Sequence, residues 1–232
     1  MFNFFAKVTP IDLNVNQIAE ICAMQILVIA ATEMEIAPFL KEPSSADILI
    51  TGVGAPDALF HLLKRVQQID YDLVIQVGIC GSFSPENNLG TCVLIKQDVF
   101  ADVGIYENGH FYSVFDMGFA MPDNFPYKNG WLINEHSIID KIDLKKVKGI
   151  TVNTVSDSIA QAKMITQKYR PDVESMEGAV LHYVCLQQDI PFIQLRSISN
   201  FVGERDKSKW KMKEAIDNLN AELKKIINQL TA

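Results

Sequence analysis

Three polar residues stand in settings that invite chemistry. Glu177 opens an apolar segment, MEGAVLHYVCLQQ, in which Ala179, Val180, Leu181, Val184 and Cys185 predict a helix over 176–188 buried nearly all round. Asn200 follows PFIQLRSIS, whose residues 192–195 read as a buried strand. Glu35 lies in TEMEI, three residues after Thr32. A carboxylate accepts strong charge-assisted hydrogen bonds and, with a suitable pKa, takes a proton from water. An amide presents one acceptor oxygen and one donor NH2 on a single planar group. Two carboxylates and an amide can therefore hold hydroxyls, activate water and match a donor–acceptor pair. Each residue also has a structural alternative. Glu35 completes a capping box with Thr32. Glu177 is an acid well placed at a helix N-terminus. Asn200 is a residue type that caps loops. Residue type alone leaves these alternatives open.

The elements that must position the three residues follow from the pattern. Residues 25–31 and 47–51 predict buried strands, the first running into a short helix that Thr32 caps. A helix over 56–68 carries Leu59, Leu62, Leu63 and Val66 on its apolar face. A third strand over 72–77 feeds GICGSF, read as a glycine-rich turn at the carboxyl edge of a sheet, where ligands bind in α/β folds. Strands over 90–101 and 149–155 follow, with a helix over 157–168 that Asp157 caps. Between them, residues 102–121 have no clean period and suit a lid or a dimer contact, and 122–130 read as a loop. Pro191 stops the apolar helix at 189–191. A last helix over 206–230 carries the stripe Met212, Ile216, Leu219, Leu223, Ile226 and Leu230. Strands alternating with helices predict an α/β fold, a single domain over 24–232, with residues 1–23 as an extension outside the core.

Composition removes several classes of function. The 232 residues carry a net charge of −7 with no basic stripe, which argues against a nucleic-acid partner. The four cysteines, Cys22, Cys80, Cys92 and Cys185, show neither CxxC nor metal-ligand spacing, so we expect no metal and reduced thiols in a cytoplasmic protein. No apolar run is long enough to span a bilayer, so no membrane partner is expected. GICGSF is not the G-x-G-x-x-G fingerprint, and no acidic residue follows at the ribose-binding distance, which excludes a dinucleotide site. His61 on its helix reads as structural or surface, and Cys80 as a small packing residue.

SMEGAVLHYVC followed by PFIQLRSISN resembles the purine nucleoside phosphorylase and nucleosidase superfamily. Within it, RSISNFVGERDKSKW is most similar to the futalosine hydrolase family, which belongs to an alternative menaquinone route. The resemblance runs from Met24 to the C-terminus. Methylthioadenosine/adenosylhomocysteine nucleosidases are similar but typically carry Asp where this chain has Asn200. The resemblance implies a nucleoside phosphorylase-like fold with a mixed, bent central sheet flanked by helices. It implies a nucleoside substrate, hydrolysis of an N-glycosidic bond, no cofactor, and a homodimer or larger homo-oligomer. It makes Glu35, within AATEMEIAPF, the residue that activates water, and the missing glycine/arginine phosphate segment favours water over phosphate as nucleophile. It gives Glu177 the ribose hydroxyls and Asn200 the base, with Met176, Ile79, Ser82, Thr154, Ser156 and Phe201 as further substrate contacts. Arg196 is expected to pair a buried carboxylate. For the carboxylated aromatic 5′ tail of futalosine, Phe201, Phe111 and the Arg205 region stay open. The rival readings are another purine nucleosidase or phosphorylase, and a nucleoside-binding module without turnover.

If residues 1–23 lie outside the core, deleting them leaves activity and melting temperature nearly unchanged. A large loss of either in the truncated protein contradicts the assignment.

Overall fold

The computed structural model describes residues 24–155 and 159–231, with backbone alone at 159–161. The proposed extension at 1–23, Ser156 and the helix cap at Asp157 lie outside the described residues. In chain order the elements are β1 (Ile26–Ala30), the one-turn α1 (Glu33–Ile36), β2 (Asp47–Ile50), α2 (Ala55–Val66) and β3 (Leu73–Ser82). Then come β4 (Cys92–Asp98), β5 (Gly104–Glu107), β6 (His110–Ser113), β7 (Tyr127–Lys128) and β8 (Trp131–Ile133). The chain ends with β9 (Lys146–Thr151), α3 (Ile159–Tyr169), β10 (Val173–Ser175), α4 (Gly178–Gln188), β11 (Phe192–Phe201) and α5 (Met212–Thr231).

β3 is the spine. Its first half pairs in parallel with β1 on one side and β11 on the other, and β1 pairs in parallel with β2. The far end of β3 turns to pair antiparallel with β10. β10 runs parallel to β9, β9 parallel to β4, and β4 antiparallel to β11. The five strands β3, β10, β9, β4 and β11 thus close into a ring on one side of an otherwise open sheet. The result is a mixed, bent sheet with helices on its faces.

Alternation along β1 decides what packs where. Ile26, Val28 and Ala30 face α5 and meet Leu219, Leu223, Ile226 and Ile227. Leu27 and Ile29 face the other way, onto Ala58, Leu62 and Val66 of α2 and Val180, Leu181 and Val184 of α4. Burying each such side chain contributes roughly 1.5–3 kcal/mol. Squeezed between α2 and the sheet, α4 has buried residues on every side, as its unbroken apolar sequence requires. Among the described residues no helix is long and apolar enough to cross a membrane.

Several expectations shift. β3 does not stop at Val77; GICGS continues it to Ser82. Gly78 and Gly81 do not form a turn, because both lie within β3, paired with Arg196 and Asn200 of β11. They leave space instead, since a Cβ on Gly78 would lie 2.2 Å from Arg196 Nη1 and one on Gly81 would lie 3.3 Å from Asn200 Nδ2. β9 ends at Thr151 rather than 155. Residues 104–113 form the β5–β6 hairpin. The last helix begins at Met212, because Asp206 caps a separate 3-10 turn at Lys207–Lys209 by accepting from Ser208 N at 3.0 Å.

Candidate active site

A cleft of about 230 Å³ opens where β3, β11, β10 and the turn after β1 converge, and Glu35, Glu177 and Asn200 all line it. Side chains separated by up to 165 positions in sequence therefore face one space.

Glu35 is held from both ends. Thr32 N and Thr32 Oγ1 donate to its Oε2 at 3.1 and 3.0 Å, and Glu35 N donates to Thr32 Oγ1 at 3.4 Å, so the capping box is complete. Ile79 N, on β3, donates to Oε1 at 3.1 Å. The structural and the chemical readings of this residue are thus compatible: the cap fixes the rotamer that aims the carboxylate at the cleft. Behind it, Asn220 of α5 donates from Nδ2 to Glu35 O at 2.8 Å and accepts from Phe39 N at 3.1 Å. Asn220 is 2 % exposed, a buried amide that ties the Glu35 turn to the last helix.

Glu177 occupies the N-cap position of α4, yet its side chain makes no capping bond. Its Oε1 accepts from Gly54 N at 2.9 Å, and its Oε2 lies 3.8 Å from Arg196 Nη1. Gly54 offers that N–H with φ at 91°, a left-handed conformation suited to glycine. Burial raises the Glu177 pKa, and the nearby Glu35 adds to this, while Arg196 and the Gly54 N–H work against it. Arg196, on β11, is 2 % exposed and donates from Nη2 to Gln76 Oε1 at 3.0 Å. Its Nη1 occupies the space above Gly78, and Glu35 Oε1 lies 3.0 Å from the same Cβ position. As anticipated, Arg196 pairs a buried carboxylate; it also stands beside a second one.

Asn200 lies within β11 rather than in a loop, at a bulge where the register with β3 slips between Ile198 and Asn200. The bulge turns the amide into the cleft. Ser199 Oγ donates to Asn200 Oδ1 at 2.8 Å, and Asn200 Nδ2 donates to Phe201 O at 3.1 Å. One N–H and one oxygen lone pair remain for a ligand.

Met176 and Ile79 line the same cleft. Ser82, Phe201 and Thr154 do not, and each has a reason. β3 continues through Ser82, so Gly81 faces the cleft and Ser82 points away. There its Oγ donates to Ser84 O at 3.1 Å and accepts from Asn87 Nδ2 at 2.9 Å. Phe201 likewise sits between two cleft residues, Asn200 and Val202. Thr154 is exposed, while its neighbour Val155 reaches the cleft. Phe111 lies on the β5–β6 hairpin under Lys168, away from the cleft. Arg205, Trp210 and Glu204 form part of the cleft wall. Gln76, Gly54 and Asn220 were not anticipated. For Asn220 the signal was present: a polar residue directly after Leu219 in the apolar stripe.

A family model described as Phosphorylase superfamily matches residues 47–231. Futalosine hydrolase of Thermus thermophilus is 27% identical over 221 residues, covering 87% of this chain and 94% of that protein. Futalosine hydrolase of Streptomyces coelicolor is 28% identical over 180 residues, covering 75% of each. Among solved structures, 5′-methylthioadenosine/S-adenosylhomocysteine nucleosidase of Colwellia psychrerythraea in complex with adenine has a TM-score of 0.76 at 17% identity. The match covers 90% of this chain and 96% of that one, and at this identity it speaks for the fold.

The crowding at Gly78 gives a direct test. A methyl group there drives into a guanidinium that Gln76 holds in place, so Gly78→Ala should cost about 1–3 kcal/mol by overpacking. Urea unfolding measures this; unchanged stability contradicts the described seat of Arg196.

Proposed function

The chain belongs to the phosphorylase superfamily, and within it we propose that it is a futalosine hydrolase. It cleaves the N-glycosidic bond of futalosine with water, giving hypoxanthine and dehypoxanthine futalosine, in the alternative route to menaquinone. The observation that carries this reading is the meeting of Glu35, Glu177 and the amide of Asn200 around one cleft. The names of the Thermus and Streptomyces relatives support the substrate.

Breaking this bond builds positive charge on the sugar and negative charge on the departing base. Glu177 accepts from ribose hydroxyls and places its carboxylate near the developing cation. Arg196 opposes the upward pull of burial on the pKa of that carboxylate, which still stands above its ordinary value. Glu35 takes a proton from water as the water oxygen bonds to C1′ and the C1′–N9 bond breaks, with the electron pair leaving on the purine. Asn200 matches a 6-oxopurine: its free N–H donates to O6, and its remaining lone pair accepts from N7–H once N7 is protonated. The match is best in the leaving-group state, so it stabilises the transition state more than the ground state. The amide has no acidic proton to give, so N7 takes its proton from solvent.

The runner-up is cleavage of methylthioadenosine or adenosylhomocysteine, the activity in the name of the Colwellia protein. Asn200 argues against it, because an Asp, which gives a proton to N7 and accepts from a 6-amino group, suits adenine better. We further propose a cytoplasmic homodimer or larger homo-oligomer. The free thiols of Cys80, Cys92 and Cys185 fit the compartment, and exposed Phe119, Met121 and Phe125 fit a subunit contact.

Parallel incubation with futalosine, inosine and methylthioadenosine, with and without phosphate, tests the reading. Free hypoxanthine should come fastest from futalosine, independently of phosphate. A sugar 1-phosphate product, a preference for methylthioadenosine, or no turnover of any nucleoside contradicts it. Asn200→Asp should shift the rate ratio of 6-oxo to 6-amino nucleosides toward the amino side by about 10-fold or more, the scale of a lost polar match. An unchanged ratio removes the base-readout role.

A further inference from the structure

Beneath the first turn of α4 lies a buried polar row that does not line the cleft. Asp98 ends β4 with no exposed surface. Its Oδ1 accepts from Thr151 Oγ1 at 3.0 Å and from Val99 N at 2.8 Å, and its Oδ2 accepts from Gln194 Nε2 at 3.2 Å. Thr151 Oγ1 in turn accepts from Ala179 N, in the first turn of α4, at 2.7 Å. Gly178 rests directly on this group: a Cβ there would lie 2.3 Å from Asp98 Oδ2 and 2.1 Å from Gln194 Nε2. The preceding residue is Glu177. The start of α4, and with it the cleft carboxylate, is therefore seated on Asp98, Thr151 and Gln194.

On the other side of Gln194 stands His182, which is fully buried in α4. Its Nδ1 is 3.0 Å from Leu132 O. A carbonyl only accepts, so Nδ1 carries hydrogen. His182 Nε2 and Gln194 Oε1 are then both buried without a partner. An orphaned buried polar atom costs about 1–3 kcal/mol, which makes two adjacent ones a poor arrangement. No hydrogen bond joins these two atoms as they stand, and a small movement of the amide admits two remedies. With the Gln194 amide as placed, His182 must carry a second proton and donate to Oε1. With the amide turned over, its NH2 donates to His182 Nε2, and its oxygen needs a proton on Asp98. The O and N of an amide are assigned from such networks, so both orientations of Gln194 are open. Each remedy requires one proton beyond an ionised Asp98 and a neutral His182.

We propose that Asp98 is a positioning residue for Glu177, acting through Thr151 and Gln194, and that it holds the seat of α4 as a protonated acid hydrogen-bonded to the turned-over Gln194 amide. Burial favours this placement of the proton. It pushes Asp98 up to about 6 and His182 down to about 4, even with the amide oriented to favour the ionised acid. Thr151 of β9, Gln194 and Arg196 of β11 and His182 of α4 face this row, and Arg196 is the charged group whose field reaches both ends of it. Loss of the proton at higher pH leaves Gln194 and His182 mismatched again and loosens the first turn of α4. The link to turnover rests on the proposed role of Glu177; the proton placement does not.

Two measurements separate these parts. Nitrogen-15 shifts of His182 in the full protein, at about pH 5, between the two values, should show a neutral ring with Nδ1 protonated and Nε2 accepting a hydrogen bond. An imidazolium, or an Nε2 with no hydrogen bond, overturns the assignment whatever the substrate is. Asp98→Asn places a neutral N–H donor where the acid proton would be. It should keep kcat within about 3-fold and lack the fall in kcat with rising pH that is expected of the parent, whereas Asp98→Ala should lose about 100-fold in kcat, the scale of a displaced catalytic group. Thr151→Val, which removes the hydroxyl that Asp98 and Ala179 N share, should also lower kcat more than it raises KM. An alkaline limb retained in Asp98→Asn, or equal activity in Asp98→Ala and the parent, refutes the positioning role.

Discussion

A guanidinium buried at the centre of a small α/β domain has to be matched, and the surroundings of Arg196 are organised by that demand. Charge taken out of water costs several kcal/mol per ion unless partners replace the solvent, and removing one partner of a buried pair costs about 3–5 kcal/mol. Glu177 supplies the opposite charge at 3.8 Å, and Gln76 supplies a neutral acceptor at 3.0 Å. Gly78 supplies room, because any side chain there would collide with Nη1. Glu35 completes the surround from the turn after β1. The same cation that Glu177 matches works against the burial that raises the Glu177 pKa.

From this centre the connections run outward along a few bonds. Ile79 N joins Glu35 to β3, Asn220 joins the Glu35 turn to α5, and Gly54 N joins Glu177 to the start of α2. The ring of five strands brings β11 beside the end of β3, so that Asn200 stands across the cleft from Glu35. Each of the two carboxylates is therefore anchored by a backbone N–H of a different element, while Asn200 is held by its own strand neighbours Ser199 and Phe201.

The apolar helix at 178–188, the amphipathic helix at the C-terminus and the strand at 192–195 were legible, because burial all round, a stripe at steps of three and four, and an apolar run each leave a period in the sequence. The glycine-rich run was misread, and Ser82 with it. Glycine signals either a turn or a close approach, and only the distant partners Arg196 and Asn200 show that β3 needs the second. Asn200 looked like the start of a loop because a bulge inside a strand has no distinct local signature. Glu35 had a cap reading from its spacing and a base reading from the resemblance; the folded chain completes the cap and sets the carboxylate at the cleft. Asp98, Gln194 and Asn220 are polar residues in or beside apolar runs. Such residues are visible in sequence, but their partners lie 53, 96 and 185 positions away.

In the proposed reaction Glu35 is the group that takes the proton from water at a site that otherwise only binds. Glu35→Gln keeps the shape and the acceptor oxygen but cannot accept that proton. Calorimetric binding of a futalosine-like nucleoside beside single-turnover release of base should show affinity within about 3-fold of the parent and a loss of about 100-fold or more in rate, the range of a removed general base. A variant that binds and turns over like the parent contradicts the account.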